Sequence, residues 1–570
     1  MAARRLLTAH RYNLSRPDLE LGISHLASAS ALRSLQSTLE QGDAVSIGLL
    51  GASVGQDAGC LDQPGRRCND YSGRIRRPHR GQPYFAGFLV RFLHSINATW
   101  PHASHTITNG AADGTPPQSI LDCLFSHLPR NLDLVILEFG SMARDVHMPS
   151  VEALLRVLLG QPRRPLIIFL TVREWCRADK IAFGSRARPF LANESTTWSR
   201  AEAKFDRLCT HYDLSCLSYY KALAPGFHAG RAGFGYDDIA ADCLHPLSGR
   251  YGTAVMTDLL VFWLEAALAR VDAARTAARA LPPPALPSPD STLFDSATVA
   301  KAQATARNAA CYSLLEGGDR FNRDRHLAYQ RLRPNPWVTA YCVRRPAVHA
   351  PLSAADSGCT SYNRHVRCVP ELVRAPPSPS SQPVWLYCFQ AFRGDGTLGK
   401  KSPGVLALQP GATLEMPVDT RLHDAFNERR GAARRNISEA RLTAKLLHLT
   451  SYNSMGRIEL SCHFGCVCTR HVLDAHHVSY SERNVSVFKD HLFDIFGGSA
   501  TCVLRARVLR STSSGGHKFK LRFLTITAAG AGANEAGVAS VTRPTKAPSR
   551  APSKQKHPAL RPGDHEEVLP

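Results

Sequence analysis

The sequence predicts a two-part protein: an α/β domain built on a three-layer α/β/α parallel sheet, followed by a second, mostly β domain of sandwich type. Between residues 41 and 272, short apolar runs rich in branched residues alternate with stretches of helical periodicity. A proline-rich interruption, LPPPALPSPDS, comes next. Beyond it the texture changes to short strand-like runs, turn residues and clustered cysteines.

The first strand of the α/β domain is AVSIGLLG, which runs into Gly51-Ala52-Ser53-Val54-Gly55. HTITNG, LDLVILEFG, PLIIFLTV and LSCLSYY supply further strands. Their apolar runs read as strands of a parallel sheet with helices over both faces. YFAGFLVRFLHSI, QSILDCLFSHL and SVEALLRVLLG are the intervening helices, and GRYGTAVMTDLLVFWLEAALARV is a long closing one. Residues 1–40 read as an N-terminal extension and 273–300 as a Pro/Ala-rich linker. From 301 to 530, QPVWLYCFQAF, KLLHLTSY, RIELSCHF, ATCVLRARVL and KFKLRFLTITA indicate a β-rich, cysteine-containing domain, with RAPPSPSSQP as a loop insert. Residues 531–570 are basic, proline-rich and free of aromatics, and are expected to be a disordered tail.

At 570 residues, with 44% apolar and 20% charged residues, the chain can build stable cores without cross-links. The formal charge is +22, yet basic residues are spread along the chain. No stripe alternates basic and aromatic residues as a binding groove would, so no nucleic-acid partner is expected. An anionic glycan or cell-wall polymer fits the charge. Sixteen cysteines and N-x-S/T sequons at Asn13, Asn97, Asn193, Asn436 and Asn484 lean toward the secretory pathway or an extracellular location. Against this, MAARRLLTAHRYNLSRPDLE is positively charged but has no continuous apolar segment of the kind a signal peptide carries. No run approaches the ~20 apolar residues of a membrane span.

Ser53 matches G-x-S-x-G, a pattern that also describes tight turns. A phosphate-cradling reading of GASVGQDAG fails, because no G-K-[ST] follows and no third glycine stands in register. The chemistry lies in a second block, YDDIAADCLHPLSGRYGTA, where Asp242 and His245 form D-x-x-H followed by proline. A serine hydroxyl is a poor nucleophile until a base within hydrogen-bond reach takes its proton. Imidazole does so near neutral pH, and a carboxylate on its other nitrogen fixes the tautomer. Loops at the C-terminal edge of an open parallel sheet are where such groups converge.

Ser53 in its early block, NGAADGT and DCLHP together resemble the SGNH hydrolases, or GDSL-type esterases and lipases, over roughly residues 40–272. The serine block reads G-A-S-V-G here rather than G-D-S-L. HTITNGAADGT, LDLVILEFG and D-x-x-H-P look like an algal and plant-like lineage of that superfamily. SYNSMGRIELSCHFGCVC and SSGGHKFKLRF are similar to that lineage's C-terminal cysteine-bearing β domain.

The resemblance implies an SGNH/flavodoxin-like sheet and ester hydrolysis, often of acetyl groups on carbohydrate, with no metal and no organic cofactor. It further implies Ser53 as nucleophile, His245 as general base and then acid, and Asp242 as its orienter. The backbone N–H groups of Ser53 and Gly114 would be oxyanion donors. A third donor is normally an asparagine in a G-x-N-D block; here the block reads Gly140-Ser141-Met142-Ala143. The Met142 thioether donates no hydrogen bond, which leaves Asn109 and Ser141 as candidate substitutes. A degenerate domain that binds glycan or mediates adhesion is the alternative.

In the second domain, CHFGCVCTRHVLDAHH gathers three cysteines and three histidines. Thiolate and imidazole suit zinc, but the spacing is not that of paired C-x₂-C knuckles, and disulfides are the simpler expectation. SSGGHKFKLRF reads as a glycine turn entering a strand whose alternating basic residues belong on an exposed face or against an acidic glycan.

Overall fold

The computed structural model describes residues 10–57, 59–63, 66–67, 87–112, 114–140, 142, 144–177, 188–189, 191, 196–240, 243–247, 250–277, 291–308, 310–313, 383, 385–392, 398–420, 441–452, 454–477, 486–497 and 501–528. Its contacts divide the chain into two units, Met1–Gly532 and Ala533–Pro570. Asp242, Ser141, the proline run of the linker, most of the RAPPSPSSQP insert and the basic tail lie outside the described residues.

The first sheet has six strands: β1 (Ile23–His25), β2 (Ser46–Gly51), β3 (Thr106–Asn109), β4 (Leu134–Glu138), β5 (Leu166–Thr171) and β6 (Ser215–Ser218). They lie in the order β1-β6-β5-β4-β2-β3. All neighbours are parallel except β1, which runs antiparallel to β6 at the edge. The parallel strands alone follow the flavodoxin-like order, in which the chain reverses direction beside β2. Loops leaving β2, β3 and β4 therefore share one rim, the edge at which open sheets of this order place their sites.

Alternation within the strands explains the three layers. Leu134 and Ile136 of β4, with Leu166, Ile168 and Leu170 of β5, enter one apolar core. Val135, Leu137, Ile167 and Phe169 enter the other. The first core is closed by α1 (Arg16–Leu21), α2 (Ala29–Glu40), α3 (Phe88–Thr99), α7 (Tyr219–His228) and α8 (Thr253–Ala277). The second is closed by α4 (Pro117–Leu121), α5 (Met148–Leu159), α6 (Thr197–Tyr212) and α9 (Ser296–Asn308). Each fully buried Leu or Ile contributes about 1.5–3 kcal/mol.

Two expected boundaries differ. Within the expected N-terminal extension, 1–40, the described residues from 10 onward are no appendage: α1, β1 and α2 belong to the layered core. Asn13 donates from its backbone and its amide to the buried Asp258 of α8, at 2.7 and 3.0 Å. The side chain of that sequon is thus already engaged. At the other end, α8 runs on to Ala277, while Leu293 and Phe294 pack on the second core and Val299 lies within it. The far end of the expected linker is thus anchored by apolar contacts, while its near end is the last, solvent-facing turn of α8, where Arg275 pairs with Glu40.

The second region holds β7 (Ala310–Ser313), β8 (Trp385–Phe392), β9 (Leu398–Ala407), β10 (Thr413–Val418), β11 (Arg441–Thr450), β12 (Arg457–Phe464), β13 (His471–Asp474), β14 (Val487–Phe496), β15 (Cys502–Val508) and β16 (Phe519–Ala528). One antiparallel sheet runs β8-β9-β16-β11-β14, with β7 also on β16; the other runs β10-β15-β12-β13. Inward residues of both, such as Leu446, Ile526, Met416 and Leu504, share one core, which makes a sandwich. The cysteine cluster pairs as Cys462–Cys468 and Cys466–Cys502, so these sulfurs are disulfide atoms rather than zinc thiolates. No described helix is long and apolar enough to cross a membrane.

The basic residues of β16 do not form an exposed face. Lys520 and Arg522 are 3% and 1% exposed. They are buried because β16 lies in the middle of its sheet and the face carrying them meets the α/β layers.

Within the same sheet, burial lowers His448 to about 4, reinforced by His491; His491 itself is lowered to about 4 by burial and by His471. The unfolded chain binds protons at these residues near pH 6.5 and the folded chain does not. Their contribution is therefore complete above pH 6.5 and is lost as pH falls toward 4. Between pH 6.5 and 4, His448→Gln should flatten the fall of unfolding free energy by up to about 1.4 kcal/mol per pH unit. Urea midpoints across that range check this; an unchanged slope would show that His448 titrates normally.

Candidate functional site

Ser53 occupies the turn that leaves β2 at the reversal point of the sheet. The register pairs Gly51 with Glu138 on one side and Leu49 with Asn109 on the other. Both partners are the last residues of their strands, and both turn inward to grip the serine turn. Glu138 Oε2 accepts the Gly55 N–H at 3.0 Å, and the Glu138 carbonyl accepts from Ala52 at 3.3 Å. Asn109 Nδ2 donates to the Gly55 carbonyl at 2.8 Å, while its Oδ1 accepts from Ala111 at 2.9 Å. Gln56 Nε2 donates to Ala111 O at 2.6 Å, and the Ala112 N–H to Gly51 O at 2.9 Å.

His245 arrives from the far end of the domain. Ser53 Oγ lies 2.7 Å from His245 Nε2, the distance at which the hydroxyl donates to an imidazole protonated on Nδ1. Both side chains are partly exposed at the rim. The Trp175 N–H donates to Cys243 O at 2.7 Å, and Cys243 is disulfide-bonded to Cys176, so the loop after β5 holds the imidazole loop. Cys243 itself has φ +68°, a strained conformation of the kind found beside functional sites. Gly59 approaches from the serine side: a Cβ there would lie 2.4 Å from the His245 carbonyl oxygen. Glycine is what allows the two loops to close together.

Other expected residues lie around this pair. Gly114, with φ +61°, is on the loop after β3. Met142 is half-buried on the loop after β4, its N–H bonded to Phe139 O at 3.0 Å. Asn109 is 6% exposed; its Oδ1 and one N–H of its carboxamide hold the backbone of the next loop and of the serine turn. It supports that turn.

Glu138 belongs to the site although its motif, LDLVILEFG, carries no role in the chemistry read from the sequence. It is fully buried, and burial pushes its carboxyl well above the usual range against the downward pull of the Gly55, Ala52 and Gly140 N–H groups. Its signal in the sequence is an acid closing the apolar run LDLVILEFG, where charge in a doubly covered strand demands a partner.

No family model and no curated relative matches the sequence. Among solved structures, a two-domain esterase (CEX) active on acetylated mannans, crystallised with mannopentaose, aligns at TM-score 0.45 and 14% identity, covering 90% of this chain and 98% of its own. A tail fibre protein of an E. coli phage aligns at 0.27 and 10%, covering 88% and 49%. A family two carbohydrate esterase from Cellvibrio japonicus aligns at 0.13 and 15%, covering 26% and 30%. These scores are too low to carry a function, so the chemistry below rests on the residues of this chain.

Replacing Glu138 by Ala strands buried N–H groups at about 1–3 kcal/mol each, whereas Gln keeps an acceptor. Glu138→Ala should lower the thermal midpoint and slow labelling of Ser53 by a serine-directed organophosphate at least tenfold. Glu138→Gln should keep labelling within about threefold of wild type. Equal labelling in all three proteins would mean that the carboxyl does not hold the turn.

Proposed function

We propose that the protein is a serine ester hydrolase of the SGNH type that removes acyl groups, acetyl foremost, from carbohydrate or cell-wall polymer. The 2.7 Å approach of Ser53 Oγ to His245 Nε2 at the rim of the sheet is the observation that carries this reading. Ser53 attacks the ester carbonyl as His245 takes its proton. The tetrahedral oxyanion collapses with His245 returning that proton to the leaving alkoxide. Water, deprotonated by the same imidazole, then releases the acid from the acyl-enzyme. Asp242 is assigned as the group that orients His245. The N–H groups of Ser53 and Gly114 are assigned to the oxyanion, with Ser141 as a candidate for a third donor.

Disulfides between Cys123 and Cys311, Cys176 and Cys243, Cys209 and Cys216, and within the sandwich support an oxidising, secretory or extracellular setting. An acylated polysaccharide met outside the cell is the substrate class consistent with that setting and with the +22 charge.

Turnover of p-nitrophenyl acetate should fall by about 10³-fold or more in Ser53→Ala. Equal background rates in both proteins would leave the glycan-binding alternative in its place. Met142→Asn should raise turnover, because one oxyanion donor is worth about 10²–10³ in rate. No change would mean that another group already fills that position.

A further inference from the structure

The loop that carries Gly114 is gripped from above by the sandwich. The Phe488 N–H donates to the Gly114 carbonyl at 3.3 Å. Arg522 Nη1 donates to the Thr115 hydroxyl at 2.5 Å, and its guanidinium carbon lies 3.6 Å from the centroid of the Phe488 ring. Thr115 is fully buried and Arg522 is 1% exposed. Further along, Ser119 Oγ donates to both carboxylate oxygens of Asp490 at 3.0 Å. Lys445 pairs with Asp122 and lies 3.9 Å from Asp490. Cys123 is disulfide-bonded to Cys311 on β7.

From Arg522 the path to the nucleophile is short. The Thr115 N–H donates to Ala112 O at 3.2 Å, and the Ala112 N–H to Gly51 O at 2.9 Å, two residues before Ser53. Burying a guanidinium is costly, and an apolar side chain packs such a place at less cost. What Arg gives in return is direction: a planar donor, held over an aromatic ring, aimed at one hydroxyl.

We propose that Arg522 and Phe488 are positioning residues that hold the Gly114 loop in register with Ser53, so that the sandwich completes the active site rather than only binding polymer beside it. The proposal rests on the reading of Gly114 as an oxyanion donor. Its prediction is that loosening this grip lowers turnover without weakening substrate binding.

Full-length Thr115→Val, Arg522→Met, Arg522→Lys and the Thr115→Val/Arg522→Met double variant test it. Each is measured for p-nitrophenyl acetate kcat and KM, and for amide hydrogen exchange in peptides spanning 109–121 and 253–277. The first two variants should each lose about 10- to 100-fold in kcat with KM within twofold, since small displacements of a donor have effects of this size. Exchange should rise in 109–121 and stay unchanged in 253–277. The double variant should be no worse than the poorer single one, and Arg522→Lys should recover part of the loss. Unchanged exchange across 109–121 overturns the proposal, as does raised exchange with wild-type kcat. Failure of the esterase reading shows separately, as equal turnover in wild type and Ser53→Ala. In that case exchange across 109–121 alone decides whether the sandwich holds the loop.

Discussion

Gly55 has both of its backbone polar groups held by side chains from opposite neighbours of β2. Glu138 takes its N–H from β4, and Asn109 reaches its carbonyl from β3. That double hold comes from the two parallel neighbours of β2, whose last residues pair with Gly51 and Leu49 just before the turn. A turn fixed on both sides keeps Ser53 at a constant height above the sheet, and His245 meets it without either loop having to reorganise. Preorganisation of this kind removes a cost that a flexible turn would incur at every cycle.

The second region adds charge to what would otherwise be an apolar seam. Lys445, Asp122, Asp490 and Arg522 lie where the sandwich meets the α/β layers. Buried ion pairs stabilise little in net terms, but a misdocked arrangement leaves them unpaired and is heavily penalised. Phe488, Phe523, Leu447 and the Cys123–Cys311 bridge supply the cohesion of the seam. The polar contacts select its register.

Much of the first sheet was legible because doubly buried parallel strands are apolar on both faces, as in LDLVILEFG and PLIIFLTV. The approach of Ser53 to His245 followed from the order of their motifs along an alternating chain. The N-terminal elements were not legible: Ile23–His25 is too short to declare itself as a strand, and its pairing with β6 is a tertiary fact. Glu138 escaped notice because its importance lies in which backbone N–H groups it meets, and no local pattern encodes that. KFKLRF has the alternation of a half-exposed strand; only the docking of a second layer makes its basic side chains interior.

Strand β7 changes what the two halves of this chain can do apart. It precedes the rest of the sandwich by some seventy residues of sequence, yet Ala310–Ser313 pairs with Phe523–Ile526 in the middle of the larger sheet. Through Cys311 it is also bonded to the α/β layers. A sandwich beginning at Trp385 would leave that stretch of β16 with open donors and acceptors, an edge on which foreign chains can assemble. The halves are therefore not interchangeable modules: a recombination event that moved the sandwich to another enzyme would have to carry this small strand with it.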